Sequence, residues 1–333
     1  MTTILSTATG ISQRTNTWAM RKMLRYAAHV SILDKFGKPY KMPKNKGVNL
    51  TWRRPVPFDA ATTPLTEGVT PTPRAMEYEN VPATLRQHGE VTKITDVIED
   101  THEDPVLQDI VELLGDNIGR TKEALLWAEL RSGTNVMYAN GASRAEVNTP
   151  LSINLQSKVI RALKNQKARK LREVLKPSPD YETYGIEDSF IAVAHTDNEA
   201  DIRKLDGFTP VARYGTMTRI CPQELGSVEE VRYVCSPDLD PYLDAGGAPG
   251  STVKSNGGTQ ADVYPIIYLA KDAYSFVALA GEDALEPSII PVNKKDKSDP
   301  LGQVGYAGWK TWFVAKILND AWMVRLEVAA SAL

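Results

Sequence analysis

The chain has 333 residues, 42% hydrophobic and 24% charged, enough for two or three modest domains of ordinary globular composition. Its net charge of -2 excludes a global basic field for gripping nucleic acid, so any such contact is local or weak. No apolar run of about 18 residues is present to span a membrane, and the start, MTTILSTATGISQRTNTW, lacks the charged-then-apolar order of a secretory signal.

After a flexible start, Asn16 to Leu33 carries Trp18, Met23, Leu24, Ala27 and Val30 near helical spacing, and the spacing predicts a helix. Two extended arms follow. In the first, Val48, Leu50 and Trp52 alternate with Asn49, Thr51 and Arg53, the period of a strand with one buried face. Between Pro55 and Pro73 the tip reads PVPFDAATTPLTEGVTPTP, whose prolines remove backbone donors and oppose regular pairing. The return arm, Met76 to Asp96, is strand-like again. A two-stranded arm is marginal alone in water, so it must lie on the rest of the chain or on a neighbour.

Asp104-Pro105 then reads as a helix start, with Leu107, Ile110, Val111, Leu114, Ile118, Leu125, Leu126 and Leu130 as one stripe and Gly133 as the stop. Such a rod is roughly 40 Å long. A second helix is expected over Leu155 to Leu175, with Lys158, Arg161, Lys164, Lys167, Arg169, Lys170 and Arg172 on its other face. A solvated face is the plain reading of those cations, and a nucleic-acid contact the sharper one. Pro177-Ser178-Pro179 marks a boundary. Beyond it come strands at Phe190 to Ala194, Val228 to Val234, Val263 to Leu269 and Tyr274 to Ala280, and a short helix capped by Asp197 and running through Leu205. Asp238 to Gln260, rich in Gly and Pro, is expected as a mobile surface loop. The run Trp309 to Leu318, Asn319-Asp320, then Trp322, Val324, Leu326 and Val328 predicts a terminal hairpin.

Chemistry is sparse. Cys221 and Cys235 flank a second expected hairpin turning at Gly226-Ser227; two reduced thiols are the preferred reading, and the spacing is no zinc site. There is no phosphate-cradling glycine loop and no nucleophile elbow. His195-Thr196-Asp197 sits where a strand meets a helix, but both residues have structural work there. Glu99, Asp100, His102, Glu103 and Asp104 could hold a divalent cation, although acids beside a helix N-terminus suffice as an explanation. Asp238, Asp240 and Asp244 are only faintly calcium-like. No cofactor and no metal are expected.

Several segments, in order, resemble the major capsid proteins of tailed bacteriophages, of the kind found in coliphage N-four and its relatives. They are Lys41-Met42-Pro43-Lys44-Asn45-Lys46-Gly47 with Leu50-Thr51-Trp52-Arg53-Arg54, then Thr63-Pro64-Leu65-Thr66-Glu67-Gly68-Val69-Thr70-Pro71, Gly89 to Asp96, and Gly308-Trp309-Lys310 to Asn319. The resemblance runs from about Trp18 to Ser331, most loosely over Pro177 to Gly281. It implies an α+β chain with the Hong Kong 97-like fold. Residues 1–43 would be the N-terminal arm and helix, 44–93 the extended loop lying across a neighbouring subunit, 94–186 the peripheral domain with spine helix 104–131, 187–286 the axial domain, and 287–333 strands returning to the peripheral domain.

The function so implied is a non-enzymatic subunit of an icosahedral head enclosing the phage genome, assembling with copies of itself in hexamers and pentamers. Trp52, Arg53, Arg54, Pro64, Leu65 and Glu67 would dock the loop on a neighbour, with Arg53 and Arg54 pairing acids across the junction. About 40 residues precede the loop, too few for a fused scaffolding segment, so a separate scaffolding protein is expected. A portal, a decoration protein and weak contact with packaged double-stranded DNA complete the expected partners. The expected location is the virion, with assembly in the host cytoplasm. The alternatives are an encapsulin-like compartment, a binding module gripping a ligand with the Asp238–Gln260 loop, and, remotely, an enzyme using His195 and Asp197.

Overall fold

A computed structural model describes residues 31–101, 106–175, 183–215, 217–279, 285–292, 294–295 and 299–332. The expected helix at Asn16 to Leu33, apart from its last residues, lies outside them. So do the Asp104-Pro105 cap, the Pro177-Ser178-Pro179 boundary and, of the acidic group, His102, Glu103 and Asp104.

The long helix organises the chain. Residues Asp96–Thr101 form α1 and Val106–Leu130 form α2. One end of α2 packs Val111, Leu114 and Ile118 against Ile94, Ile289, Ala307 and Trp309 of a five-stranded sheet. The other end packs Leu126, Trp127 and Leu130 into a second core shared by both sheets. Gly133 follows the helix as expected, under the Met323 side chain.

The five-stranded sheet is built on one long strand. It contains β1 (Lys38–Met42), β4 (Arg86–Thr95), β12 (Tyr274–Leu279), β13 (Leu285–Ile290) and β14 (Val304–Ile317). Along one edge β14 pairs with β4 from Val304 to Phe313; along the other it pairs with β13 and then β12.

The eight-stranded sheet runs β5 (Val136–Tyr138), β15 (Met323–Ala329), β11 (Val263–Leu269), β7 (Thr183–His195), β10 (Val231–Ser236), β9 (Glu224–Val228), β8 (Thr209–Pro210), with β6 (Leu171–Leu175) on β7. Its central strands are apolar on both faces because both faces are covered. Ile191, Val193, Ile267 and Leu269 enter the shared core. Phe190, Ala192, Tyr264, Ile266 and Tyr268 face α3 (Ile153–Asn165) and α4 (Glu199–Arg203).

The terminal run is not a hairpin. Both edges of β14 are occupied by β4, β12 and β13, so its backbone groups are already satisfied. Ala273 O accepts from the Leu318 and Asn319 amides, and Asn319 Oδ1 accepts from Ala321 N. The chain turns there and crosses to the other sheet, where β15 lies between β11 and β5.

The second helix is also shorter than expected. It ends at Asn165 in a Schellman motif: Ala168 N donates to Leu163 O, Lys167 N donates to Lys164 O, and Lys167 takes φ 54°. Lysine occupies the position where glycine is the usual signal, which hid the stop. Leu171 to Leu175 then pairs with β7 as a strand.

The cysteine hairpin turns at Glu229-Glu230, with Glu229 at φ 52°, rather than at Gly226-Ser227. Gly226 serves a different purpose: a Cβ there would lie 2.5 Å from Thr209 O. Cys221 and Cys235 are buried, unbridged and assigned to opposite cores. Burial pushes their thiols up to about 11 and about 12 respectively. Both should therefore resist a thiol-specific reagent at about pH 8 until the chain unfolds. Rapid labelling of the native chain would contradict this.

The Asp238–Gln260 segment is irregular, as expected, yet pinned. Leu239 and Val253 are buried, Tyr242 exchanges backbone hydrogen bonds with Val263, and the Tyr242 ring lies 3.6 Å from the Arg144 guanidinium and 4.7 Å from that of Arg131.

Glu123, on α2 and fully buried, clasps the segment that leads into β1. Its carboxyl group accepts from Ser31 Oγ at 3.2 Å, Ile32 N at 3.1 Å and Leu33 N at 3.1 Å. Tyr274 OH donates to Leu33 O from the other side. Burial first, and then the charge of Asp34, push the Glu123 carboxyl from 4.5 up to about 8, against the pull of those donors. The folded chain thus holds a proton that the unfolded chain releases. The stability tied to that proton is complete below about pH 4.5 and is lost as pH rises through about 8. In Glu123→Gln the thermal midpoint should lie lower, and its decline between about pH 5 and about 8 should flatten. An unchanged slope in the variant would refute the assignment.

Candidate assembly interface

The element that belongs to neither sheet is the loop. Among the described residues, strands β2 (Asn49–Pro55) and β3 (Tyr78–Thr84) pair only with each other, from Asn49 opposite Thr84 to Pro55 opposite Tyr78. The alternation read from the sequence is present, except that Val48 is exposed. Leu50 and Trp52, with Ala83 and Val81 across from them, form the half-buried face. At its root the hairpin packs Leu50 and Trp52 on Met42, Leu85, Val277, Trp312 and Val314. Trp52 meets Tyr40 edge-on at 6.1 Å.

The tip, residues 56–77, has no strand. Its few internal ties are Val56 N to Glu77 O at 3.0 Å, the Val69 N to Thr66 O turn at 3.2 Å, and Arg74 Nη1 to Asp59 O at 3.3 Å. Gly68 takes φ 78°, which is costly for any other residue type. The apolar side chains there face outward: Leu65 is 78% exposed, Val69 63%, Phe58 60% and Met76 54%. Scattered exposed apolar groups are ordinary, but several on one projecting segment mark a contact surface.

The six residues expected to dock the loop do not form one group. Trp52 is spent on its own chain's root. Arg54 is engaged by Glu79 across the hairpin, with Nε 3.1 Å from Oε2. Arg53 projects from the opposite, exposed face. Pro64, Leu65 and Glu67 sit at the tip, all exposed. Phe58, Val69 and Met76, apolar and exposed on the same segment, were not among the six. Their signal was apolar type inside a proline-rich segment unable to bury it.

No reacting centre forms at His195. Its Nδ1 accepts from Asp197 N at 3.0 Å, so His195, rather than Asp197, makes the cap. Burial lowers the His195 pKa, against the pull of Asp197's charge. Asp197 Oδ2 accepts from Lys254 Nζ and Tyr264 OH, both at 2.7 Å. Burial alone would raise the Asp197 carboxyl, but those two hydrogen bonds hold it below its usual value. A carboxylate so occupied is a strut for the 238–260 loop and a poor base. The adjoining depression, about 800 Å³, is lined by Asp197, Arg203, Lys254 and Ser331, without a thiol or histidine. Among the described residues no group of three potential metal ligands converges. The backbone carbonyl of Asp240 accepts from the Trp127 and Arg131 side chains at the end of α2, and of the three faintly calcium-like acids Asp244 is used within the loop, its Oδ1 accepting from Gln260 N.

A rod spanning two buried cores, with an apolar-tipped hairpin cast outside both, defines a subunit that completes itself against other subunits. Comparison with known proteins agrees. The phage capsid protein family model matches residues 78–325. The capsid of Ralstonia phage GP4 is similar in structure, with TM-score 0.68, 12% identity, 92% of this chain and 91% of that one covered. The cyanophage Pam1 capsid gives TM-score 0.61 at 14% identity, covering 93% of each chain. The holo-SrpI encapsulin of Synechococcus elongatus PCC 7942 gives 0.52 at 10%, covering 88% and 86%. No curated protein matches in sequence. The chain belongs to the phage capsid protein family, with the Hong Kong 97-like fold. It is a structural protein of the phage head shell, assembled from many copies of itself, and not an enzyme.

Proposed function

We propose that this chain forms hexamers and pentamers of an icosahedral shell through its loop, and that the tip at Phe58, Leu65 and Val69 is the part that docks on a neighbouring copy. The observation that carries this is the tip itself: apolar, projecting and tied to its own chain by a few hydrogen bonds. Heterologous contacts that close by symmetry repeat one junction around a ring, and such a segment offers each copy a surface to place on the next. Trp52 and Arg54 act as the rigid root that aims it, and Arg53 remains the cation available for an acidic group across the junction.

The five-stranded sheet with α2 serves as the peripheral body and the eight-stranded sheet as the axial body. The strand membership supports a division by sheet, with Val136–Tyr138 and Met323–Ala329 contributing to the axial side and Tyr274–Leu279 to the peripheral side. Within this reading the partners are a separate scaffolding protein, a portal and a decoration protein, and assembly takes place in the host cytoplasm.

The test is expression of the full chain, alone and with scaffold, followed by size-exclusion chromatography and negative-stain electron microscopy. Closed shells, pentamers or hexamers support the reading. A monomer that never assembles, even with scaffold, overturns it. The encapsulin alternative shares the fold, and it predicts shells that carry a cargo enzyme with no phage head around them.

A further inference from the structure

Between Ile153 and Arg172 the sequence carries seven cationic side chains and no anionic one, in a chain of net charge -2. The structure neutralises part of that run. Glu230 takes Lys164 at 2.8 Å and Lys170 at 3.2 Å, and Asp188 takes Arg172 at 2.8 Å. Lys158, Arg161, Lys167 and Arg169 are exposed and make no ion pair among the described residues. The nearby acids Glu173 and Glu229 are exposed on β6 and the β9–β10 turn. These cations are displayed because α3 is anchored by its other side. Val159, Ile160 and Leu163 are buried in the core under the eight-stranded sheet, and buried Gln156 donates to Val228 O at 3.0 Å.

We propose that this face, centred on Lys158, Arg161, Lys167 and Arg169, is where the subunit touches packaged double-stranded DNA through its phosphates. The proposal rests on the capsid reading above and adds the surface. Two features choose DNA over an acidic protein. The face has no exposed large apolar residue between Ile153 and Arg172, whereas protein interfaces are typically centred on buried aromatic or apolar anchors. Besides the cations, the exposed residues between Ile153 and Arg172 are Asn154, Ser157, Asn165 and Gln166, the polar types that hydrogen-bond phosphate without reading bases. A patch this small, on a chain of slight negative charge, gives weak, salt-sensitive contact.

The test uses the full chain and a fluorescent duplex of about 30 base pairs, with anisotropy read across a salt series. Wild-type subunits should bind near 50 mM salt with a log–log slope of about -3 to -4. The variant K158A/R161A/K167A/R169A changes exposed side chains only, and should lose at least about tenfold in affinity and about 3 in slope. Electron microscopy follows shell formation in parallel, and the variant should assemble as wild type does. Unchanged affinity and slope in a variant that assembles overturn the DNA surface alone. Wild-type chain that neither assembles nor binds overturns the capsid reading as well. Equal binding of polyglutamate, with the same loss in the variant, assigns the face to an acidic protein and overturns the proposal. Closed shells should bind the duplex from outside far more weakly than subunits do; equal binding puts the face on the exterior and also overturns it.

Discussion

A subunit carrying Leu65→Asp should fold normally and fail to build shells. Leu65 is 78% exposed in the single chain and sits on a segment with no strand, so the substitution removes no packing within the subunit. Surface changes of that kind alter stability by about 0.5 kcal/mol or less. The cost falls on the contact. A carboxylate placed in the apolar centre of an interface must be desolvated without a partner, and losing one such anchor costs about 2–4 kcal/mol per junction. A shell repeats every junction many times, so a deficit of that size at each one stops assembly at ordinary concentrations. Size-exclusion chromatography should give the unassembled species with wild-type circular dichroism. Leu65→Ala, which shortens the side chain without adding charge, should give fewer shells rather than none. Normal particles from the aspartate variant would falsify the role of the tip.

The largest effect on the subunit itself is expected from Glu327→Ala. Glu327 is fully buried on β15, between β11 and β5. Arg144 reaches it with a two-pronged contact, Nε to Oε2 and Nη2 to Oε1, both 2.7 Å. Arg325 Nε lies 3.0 Å from Oε1. Hydrogen bonding to Glu327 raises the Arg144 pKa above its ordinary value. Deleting the carboxylate leaves two guanidinium groups facing each other, with Arg325 only 8% exposed. Breaking a buried pair in this way costs about 3–5 kcal/mol. The denaturant midpoint should fall accordingly, with the slope unchanged. Arg144→Met should cost less, because Arg144 is 33% exposed and Arg325 still pairs the carboxylate. A Glu327→Ala chain within about 1 kcal/mol of wild type would show that the cluster contributes little.

These expectations separate what was legible in the chain from what was not. The loop hairpin, the long helix and the strands at 190–194, 263–269 and 274–279 follow from local periodicity, and they stand. A residue's neighbours along the chain suffice to say which face is apolar. The errors have two causes, partners elsewhere in the fold and turns made without the usual residue types. Trp309 to Val328 has the pattern of two strands around a turn, and both strands exist, but β14 had three partners waiting on its edges. Leu171 to Leu175 continues a helical spacing, yet an open edge of β7 recruited it. Lys167 in a left-handed conformation made the break without the usual residue type.

The candidate site divides in the same way. Leu65 at an exposed tip could be expected because five prolines between Pro55 and Pro73 forbid the pairing that would bury it. That Trp52 and Arg54 serve the root required knowing where Tyr40, Trp312 and Glu79 come to rest. Glu123 lies outside the apolar stripe of its helix, and nothing next to it in the chain marks it for burial. Only the return of the chain to Ile32 and Leu33 makes it a clasp.

The sequence by itself determined the local elements, the proline-bound apolar tip, the basic run at 158–172 and, through its segments, the resemblance to phage capsid proteins. Tertiary structure decided which strands share a sheet, which acids are buried and which cations stay in solvent. The physical reason is one of range. Periodicity and turn chemistry act over a few residues, whereas sheet pairing and desolvation depend on groups as far apart as Arg144 and Glu327, 183 positions along the chain.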